Sequence, residues 1–127
     1  MSDRCYMQVA CRRQDAQRFT DIGFEPHTKQ GPDSPSITMI DEEADYGHDG
    51  ELPDDVPWVG KSSPGGNYGA SRYACDGKEL VEVESGFNNY GYVVEWDTTL
   101  NEPVDSSLAE IRHFMDVRER AREMLGI

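Results

Sequence analysis

A chain of 127 residues is long enough to fold as one domain with its own core, without disulfides or a structural metal. Its 25 acidic residues outnumber 12 basic ones and give a formal net charge of −13, which disfavours nonspecific binding to nucleic acid or to an anionic membrane. Three cysteines without close spacing favour a reducing, cytoplasmic setting, and no apolar run is long enough to span a bilayer.

The N-terminal part of the chain predicts a β–α–β order. Apolar and polar residues alternate over residues 5–11, which is the pattern of a strand with one buried face. Three apolar residues then recur at helical spacing, Ala16, Phe19 and Ile22. We expect Gly23 to end this helix in the left-handed conformation, with Phe24 covering the helix end. Ser36–Ile40 has the pattern of a second strand.

The second strand leads into a segment that is acidic and has little periodicity. No basic residue lies between Lys29 and Lys61, whereas nine acidic ones do. Residues 41–69 also contain several glycines and prolines, which predict a long irregular loop with Trp58 and Val59 as its apolar anchor. Because loops of this length in compact domains are usually functional or disordered, the tryptophan favours a functional or docked loop.

The next segment predicts a hairpin whose register depends on its turn. The Asp76-Gly77 pair is typical of a tight turn. A two-residue turn would place Arg72 opposite Val81 on the buried side, whereas a three-residue loop would put Gly77 in a left-handed bulge. We expect the bulge, which would bury four residues of the hairpin, Ser71, Tyr73, Val81 and Val83.

A further strand over Tyr90–Trp96 would complete a meander through a turn at residues 86–89. Pairing Val83 with Tyr92 would direct Trp96 inward and the acidic residues of these strands outward. The outward face of the meander is therefore expected to be acidic, through Glu82, Glu84, Glu95 and Asp97.

The C-terminal segment predicts a helix. Ser107 and Glu110 have the spacing of a capping box, and Gly126 can end the helix. Eight apolar residues form one stripe for core packing, Leu108, Ile111, Phe114, Met115, Val117, Ala121, Met124 and Leu125. Together the elements predict an α+β fold, a two-layer sandwich with a mostly antiparallel sheet, in a single domain over residues 1–127.

The negative charge is concentrated in the middle of the chain. Residues 30–105 hold 17 acidic and three basic residues, while residues 1–29 and 106–127 are almost neutral. Because like charges held close together cost stability, this concentration indicates a cationic partner. Adaptation to high salt is the alternative, but it should coat the whole surface and leave neither end neutral.

Motifs for phosphate or calcium binding are incomplete. Residues 60–62 resemble the end of a phosphate-binding loop, but Asp55 stands where that motif requires glycine. Residues 41–45 match the first three ligand positions of a calcium loop, but Tyr46 and Leu52 occupy its glycine and glutamate positions. We expect neither motif to function, although clustered carboxylates could still bind a divalent cation.

Two other side chains could take part in catalysis. Cys75 lies beside Asp76, and acidic surroundings disfavour the thiolate that a nucleophile needs. His48, flanked by Asp45 and Asp49, is a weak acid–base candidate. We expect no catalytic residue, no cofactor and no resident metal. The alternative is a small divalent-metal-binding protein or enzyme that uses the carboxylates of residues 41–55 with His48.

In its make-up the chain resembles the small acidic inhibitors that phages and mobile elements direct against host defence, the DNA-mimicking antirestriction and anti-CRISPR proteins. The resemblance rests on the run from Asp33 to Asp55 and on the outward acidic residues of the meander, and it covers composition without a shared motif. It implies that carboxylates occupy a Lys/Arg-lined nucleic-acid channel in place of phosphates. Such a channel attracts any rigid array of negative charge.

These observations favour a non-catalytic cytoplasmic protein that binds a basic protein or nucleoprotein surface and inhibits a nucleic-acid-binding complex by charge mimicry. It would bind neither nucleic acid nor membrane directly. A homo-oligomer, and a virion, assembly or adaptor role, are alternatives. Trp58 and nearby tyrosines would anchor the partner. The expected partner-binding residues are Asp41, Glu42, Glu43, Asp45, Asp49, Glu51, Asp54, Asp55, Trp58, Glu82, Glu84, Glu95 and Asp97.

Overall fold

Six strands in one antiparallel sheet form the centre of the fold. The computed structural model describes residues 4–27, 35–45, 50–64, 70–85 and 108–127. The sheet order is β2-β3-β1-β4-β5-β6, and the α+β class with an antiparallel sheet is confirmed. The elements are β1 (Arg4–Arg12), a 3₁₀ turn (Arg13–Asp15), α1 (Ala16–Thr20), β2 (Glu25–Pro26), β3 (Ser36–Asp45), β4 (Pro57–Pro64), β5 (Ala70–Asp76), β6 (Leu80–Ser85) and α2 (Leu108–Leu125).

Strand β1 is a central strand because β3 and β4 pair with its two edges. Buried and partly exposed side chains alternate along this strand, as predicted. Met7, Val9 and Cys11 are buried on one face, and the residues between them are partly exposed. A strand with one apolar face therefore sets which side of the sheet receives the main core.

Helix α1 ends at the predicted left-handed glycine. Gly23 has a φ of 113°, and its N–H donates to the carbonyl oxygen of Thr20 at 3.1 Å. The N–H of Phe24 donates to the carbonyl oxygen of Phe19 at 3.0 Å, and the two rings meet edge to face with centroids 5.5 Å apart. These bonds and this contact form a Schellman motif, which returns the chain to the sheet.

The segment predicted as a long irregular loop is largely strand. Strand β3 continues to Asp45 and β4 occupies Pro57–Pro64, so the prediction of an irregular loop over residues 41–69 is wrong for both stretches. The reason is tertiary, because β1 offers pairing partners to both strands along its length. Residues 46–49 and 65–69 lie outside the described residues.

Gly60 contributes to the weak sequence pattern of β4, and its place is explained by packing. A Cβ atom at this position would lie 2.9 Å from the side chains of Trp58 and Val9 and 3.0 Å from the carbonyl oxygen of Gln8. Glycine is therefore needed where β4 closely approaches β1 and the tryptophan ring.

A tryptophan-centred core, here called the first core, fills the face of the sheet that α1 covers. The Trp58 ring is fully buried, meets Phe19 edge to face at 5.4 Å and stacks on Tyr73 at 5.7 Å. Its Nε1–H donates to the carbonyl oxygen of Pro53 at 2.8 Å, which ties the segment before β4 to the core. The buried members are Met7, Val9, Cys11, Phe19, Phe24, Met39, Val56, Trp58, Tyr73 and Cys75.

Helix α2 packs on the opposite face, so the sheet lies between the two helices. Phe114 and Val117 of α2 pack against Ala74 and Val83 of the sheet to form the second core. Strand alternation explains this arrangement, because Ala74 follows Tyr73 in β5 and so presents its side chain to the other face.

The predicted apolar stripe of α2 is confirmed for four of its members. Phe114, Val117, Ala121 and Leu125 are buried, whereas Met124 is 51 % exposed. The helix ends as predicted at Gly126, whose φ is 74°, and the N–H of the following Ile127 donates to the carbonyl oxygen of Arg122 at 3.1 Å.

The hairpin between β5 and β6 has a longer loop than the sequence predicted. Ala74 pairs with Val81 and Arg72 with Val83, so the three-residue bulge register is wrong. Tyr73 consequently faces the first core, whereas Arg72 lies on the face that α2 covers.

Asp76 explains the longer loop. Its Oδ1 accepts the N–H groups of Lys78 and Glu79, each at 3.0 Å, and its own N–H donates to the carbonyl oxygen of Glu79. Gly77 keeps the predicted left-handed conformation, with a φ of 90°. The carboxylate thus holds residues 76–79, the four residues between the paired Cys75 and Leu80, in place of a tighter turn. The predicted strand Tyr90–Trp96 and its turn lie outside the described residues.

Candidate functional site

An open cleft beside β6 brings together acidic residues from separate parts of the chain. Asp54 precedes β4, Glu79 lies in the β5–β6 connection and Glu82 lies in β6, and all three are exposed. The cleft has a volume of about 400 Å³. We call it the acidic cleft, and its lining residues are Gly50, Leu52, Asp54, Tyr73, Lys78, Glu79, Leu80 and Glu82.

The floor of the acidic cleft is apolar. Leu52 and Leu80 are half-buried and pack against the first core, and Tyr73 belongs to that core. Lys78 adds one positive charge to a rim that otherwise carries three carboxylates. An apolar floor under a negative rim suits a long cationic side chain, because its aliphatic stem can lie on the leucines while its charged end reaches the carboxylates.

Glu79 at the rim is paired with a neighbour. Its carboxylate contacts the ring of His113 on α2, and both side chains are about half exposed, at 46 % and 53 %. An exposed pair of this kind contributes little to stability. Glu82 has no ion pair within the described part of the chain, so its charge is available to a partner.

Asp55 is adjacent to Asp54 but is already neutralised. Arg18 of α1 donates to both of its carboxylate oxygens, at 2.7 and 3.2 Å. This hydrogen bond with the guanidinium holds the pKa of Asp55 below its ordinary value. Asp55 therefore adds less to an attractive surface than its position in the acidic run predicts.

The other predicted acidic residues do not all gather at the acidic cleft. Asp41 is half-buried on β3, Glu42 is exposed at the next position, and Glu51 is exposed before β4. Glu43, Asp45 and Glu84 belong to strands, but their side chains are not described, and Asp49, Glu95 and Asp97 lie outside the described residues.

The prediction that Trp58 anchors a partner is wrong. The ring is fully buried between α1 and β5, so it cannot contact another molecule without unfolding this side of the domain. Tyr73 is likewise 7 % exposed. In the sequence these aromatic residues lay near polar loops, and only the sheet pairing shows that both complete the first core.

The thiols that the structure describes are poorly suited to nucleophilic chemistry. Burial, with a smaller contribution from Asp15, raises the pKa of Cys11 to about 12. Burial also raises the pKa of Cys75, which lies in the first core.

The segment Gly60-Lys61-Ser62 lies inside β4 and not in a loop, so it has no phosphate-binding turn.

Within the described ranges, no group of three or more His, Cys, Asp or Glu side chains could hold a metal ion. His48, the proposed partner of such a site, lies outside them.

Sequence reasoning also missed Glu79. The sequence did offer a signal for Glu79, namely its position just after the Asp76-Gly77 turn, because the connection of a hairpin lies where its two strands end.

Comparisons with protein-family models, with curated proteins and with solved structures found no match. In the portion of the chain that the structure describes, no helix has the length and apolar character needed to cross a membrane.

Proposed function

We propose that this protein is a non-catalytic, cytoplasmic binding protein whose acidic cleft takes a basic segment of another protein. The observation that carries this proposal is the convergence of Asp54 and Glu82 over a floor of Leu52 and Leu80. An inserted arginine or lysine satisfies both parts of this arrangement. The net charge of −13 would attract a basic partner over a longer range and speed the encounter.

The partner we propose is a nucleic-acid-handling complex, which the protein inhibits by charge mimicry. A channel that binds a phosphate track is lined with Lys and Arg, and it attracts carboxylates that are held in fixed positions. Asp54 follows Pro53, whose carbonyl oxygen accepts the Trp58 Nε1–H, and Glu82 lies within a paired strand. Such fixed positions reduce the entropy lost on binding. The resemblance to DNA-mimicking inhibitors supports the same choice.

A cytoplasmic setting is supported by the cysteines. Cys11 and Cys75 are free thiols buried in the first core, and buried free thiols suit a reducing compartment.

Affinity capture from a lysate of the source organism tests binding. The bait would be the wild-type protein, a charge-reversed Asp54→Lys/Glu82→Lys variant, and an Asp116→Lys/Glu123→Lys control with the same change in net charge. Asp116 and Glu123 are exposed on α2 and do not line the acidic cleft. We expect one basic nucleic-acid-binding complex on the wild type and the control, released by salt, and none on the cleft variant. Equal capture by all three would contradict the proposal.

Competition then tests inhibition as distinct from binding. Duplex DNA and RNA of the kind that the captured complex binds would be titrated into the purified assembly. Charge mimicry predicts that nucleic acid and this protein exclude each other. A stable ternary assembly would show that the acidic cleft binds the complex outside its nucleic-acid channel.

A further inference from the structure

A second cleft lies on the opposite face of the sheet, between β1, β4, β5 and α2, and cations line it. Lys61 of β4 and Arg72 of β5 occupy directly opposite positions in neighbouring strands. Arg118 of α2 lines the same cleft, whose volume is about 370 Å³. We call this region the basic cleft. Its position is unexpected in a chain with a net charge of −13, because three of only 12 basic residues converge here.

The close arrangement of these cations is electrostatically unfavourable. Like charges at directly opposed strand positions destabilise a sheet. Burial, followed by the charges of Arg122 and Arg72, lowers the pKa of Arg118, and Glu119 opposes this shift more weakly. Within the described part of the chain, Lys61, Arg72 and Arg118 make no ion pair, and no carboxylate lines the basic cleft. A bound anion would relieve this repulsion.

The remaining lining suits an anion that carries an organic group. Gln8 accepts a hydrogen bond from the hydroxyl of Tyr6 through Oε1 at 3.4 Å, which leaves its amide NH₂ as a further donor. Val59 and Phe114 supply apolar surface on the two sides of the cleft. Guanidinium forks match the oxygen geometry of a phosphoryl group, and the three positive charges of two arginines and one lysine are enough to balance its double negative charge.

We propose that the basic cleft binds the phosphoryl group of a small phosphate monoester. Arg72 and Arg118 hold the phosphoryl oxygens, Lys61 completes the charge, and the organic group lies along Val59 and Phe114. The cleft is within the size range of small-molecule sites. This site is separate from the acidic cleft, because the two lie on opposite faces of the sheet. If no phosphate monoester binds at the basic cleft, the proposed protein-binding function is therefore unaffected.

Titration calorimetry at constant ionic strength tests the proposal, with inorganic phosphate and a nucleoside 5′-monophosphate as probes. We expect saturable binding of both with the monoester tighter, at a Kd of about 1 mM or below. Arg118→Gln should weaken binding about tenfold or more, since it removes hydrogen bonds to a charged group. The control is Arg112→Gln, an exposed arginine of the same helix outside the basic cleft, which should bind as the wild type does.

Backbone amide shifts of the ¹⁵N-labelled wild-type protein provide a second readout that needs no variant. The monoester should shift the signals of Gln8–Ala10 and Val59–Lys61 in a saturable way. The proposal is overturned by the absence of saturable binding, by shifts confined to other residues, or by equal loss in Arg112→Gln. Equal affinity for the two probes would overturn the assignment to an ester, and tighter binding of a single-stranded oligonucleotide would favour a polynucleotide instead.

Discussion

Trp58 connects three parts of the molecule through one side chain. Its ring contacts Phe19 of α1 and stacks on Tyr73 of β5, and its Nε1–H reaches the carbonyl oxygen of Pro53. The next residue after that proline is Asp54, at the rim of the acidic cleft. A buried tryptophan thereby positions an exposed carboxylate, although the tryptophan itself makes no contribution at the surface.

Truncating the Trp58 side chain should strongly destabilise the fold. We expect Trp58→Ala to lower the free energy of unfolding by about 3–5 kcal/mol, through lost burial and the cavity left behind. Trp58→Phe keeps part of the packing but removes the donor to Pro53, so its cost should be smaller. Urea unfolding measures both, and a change below about 0.5 kcal/mol for the alanine variant would show that the ring is not in the core.

Asp76 should make stability depend on pH. Burial raises the pKa of this carboxyl, but the N–H groups of Glu79 and Lys78 and the guanidinium of Arg120, at 3.1 Å, outweigh burial, and the pKa lies below its ordinary value. A lowered folded-state pKa means that the charged form stabilises the fold above the unfolded-state pKa. This contribution is lost as the pH falls through the folded-state value.

The variant that isolates this effect is Asp76→Asn, which keeps the shape and one acceptor but loses the charge. We expect it to lower the free energy of unfolding by about 1–3 kcal/mol near neutral pH. The difference from the wild type should begin to shrink below about pH 4, where the carboxyl of the unfolded chain becomes protonated, and should be lost as the pH falls through the lower folded-state pKa. Urea unfolding across this range measures the difference, and a constant difference at every pH would contradict the assignment.

At the scale of elements, the parts that depend on local signals were predictable from the sequence. The alternation of β1, the helix end at Gly23 and the end of α2 at Gly126 all match the structure. Each depends on a few neighbouring residues, whose backbone preferences and apolar spacing do not require knowledge of the rest of the chain.

Elements that depend on distant partners were not predictable in the same way. Strand β4 has prolines at both ends and Gly60 in its middle, and it is a strand because β1 and β5 pair with it. The register of the next hairpin was missed because the Asp76 side chain lengthens its loop. The acidic cleft was missed for a related reason, since Asp54 and Glu82 meet only when β4, β5 and β6 pair.

Helix α2 offers a test of which side of an element is buried. Phe114 and Met124 both belong to the apolar stripe predicted from the sequence, but Phe114 is 2 % exposed and Met124 is 51 % exposed. We expect Phe114→Ala to cost about 3–5 kcal/mol of unfolding free energy and Met124→Ala to stay within about 0.5 kcal/mol. Thermal and urea unfolding compare the two variants. Equal effects would mean that α2 is packed in a different rotation.

At the scale of the whole molecule, charge of opposite sign lies on opposite faces of the sheet. The acidic cleft is next to the first core, and the basic cleft is next to the second core under α2. The composition alone gives a net charge of −13 and does not reveal the basic cleft. Strand alternation separates the two, because Tyr73 and Arg72 are neighbours in β5 that project to opposite sides.

We propose that carboxylates fixed at the acidic cleft bind a basic protein surface. The most direct measurement is the Kd of the purified complex against salt concentration, for the wild type, Asp54→Lys/Glu82→Lys and Asp116→Lys/Glu123→Lys. We expect an affinity that falls steeply with salt, is lost in the cleft variant and is retained in the control, while all three proteins unfold at similar temperatures. An affinity that is independent of salt, or equal in the cleft variant and the control, would contradict it.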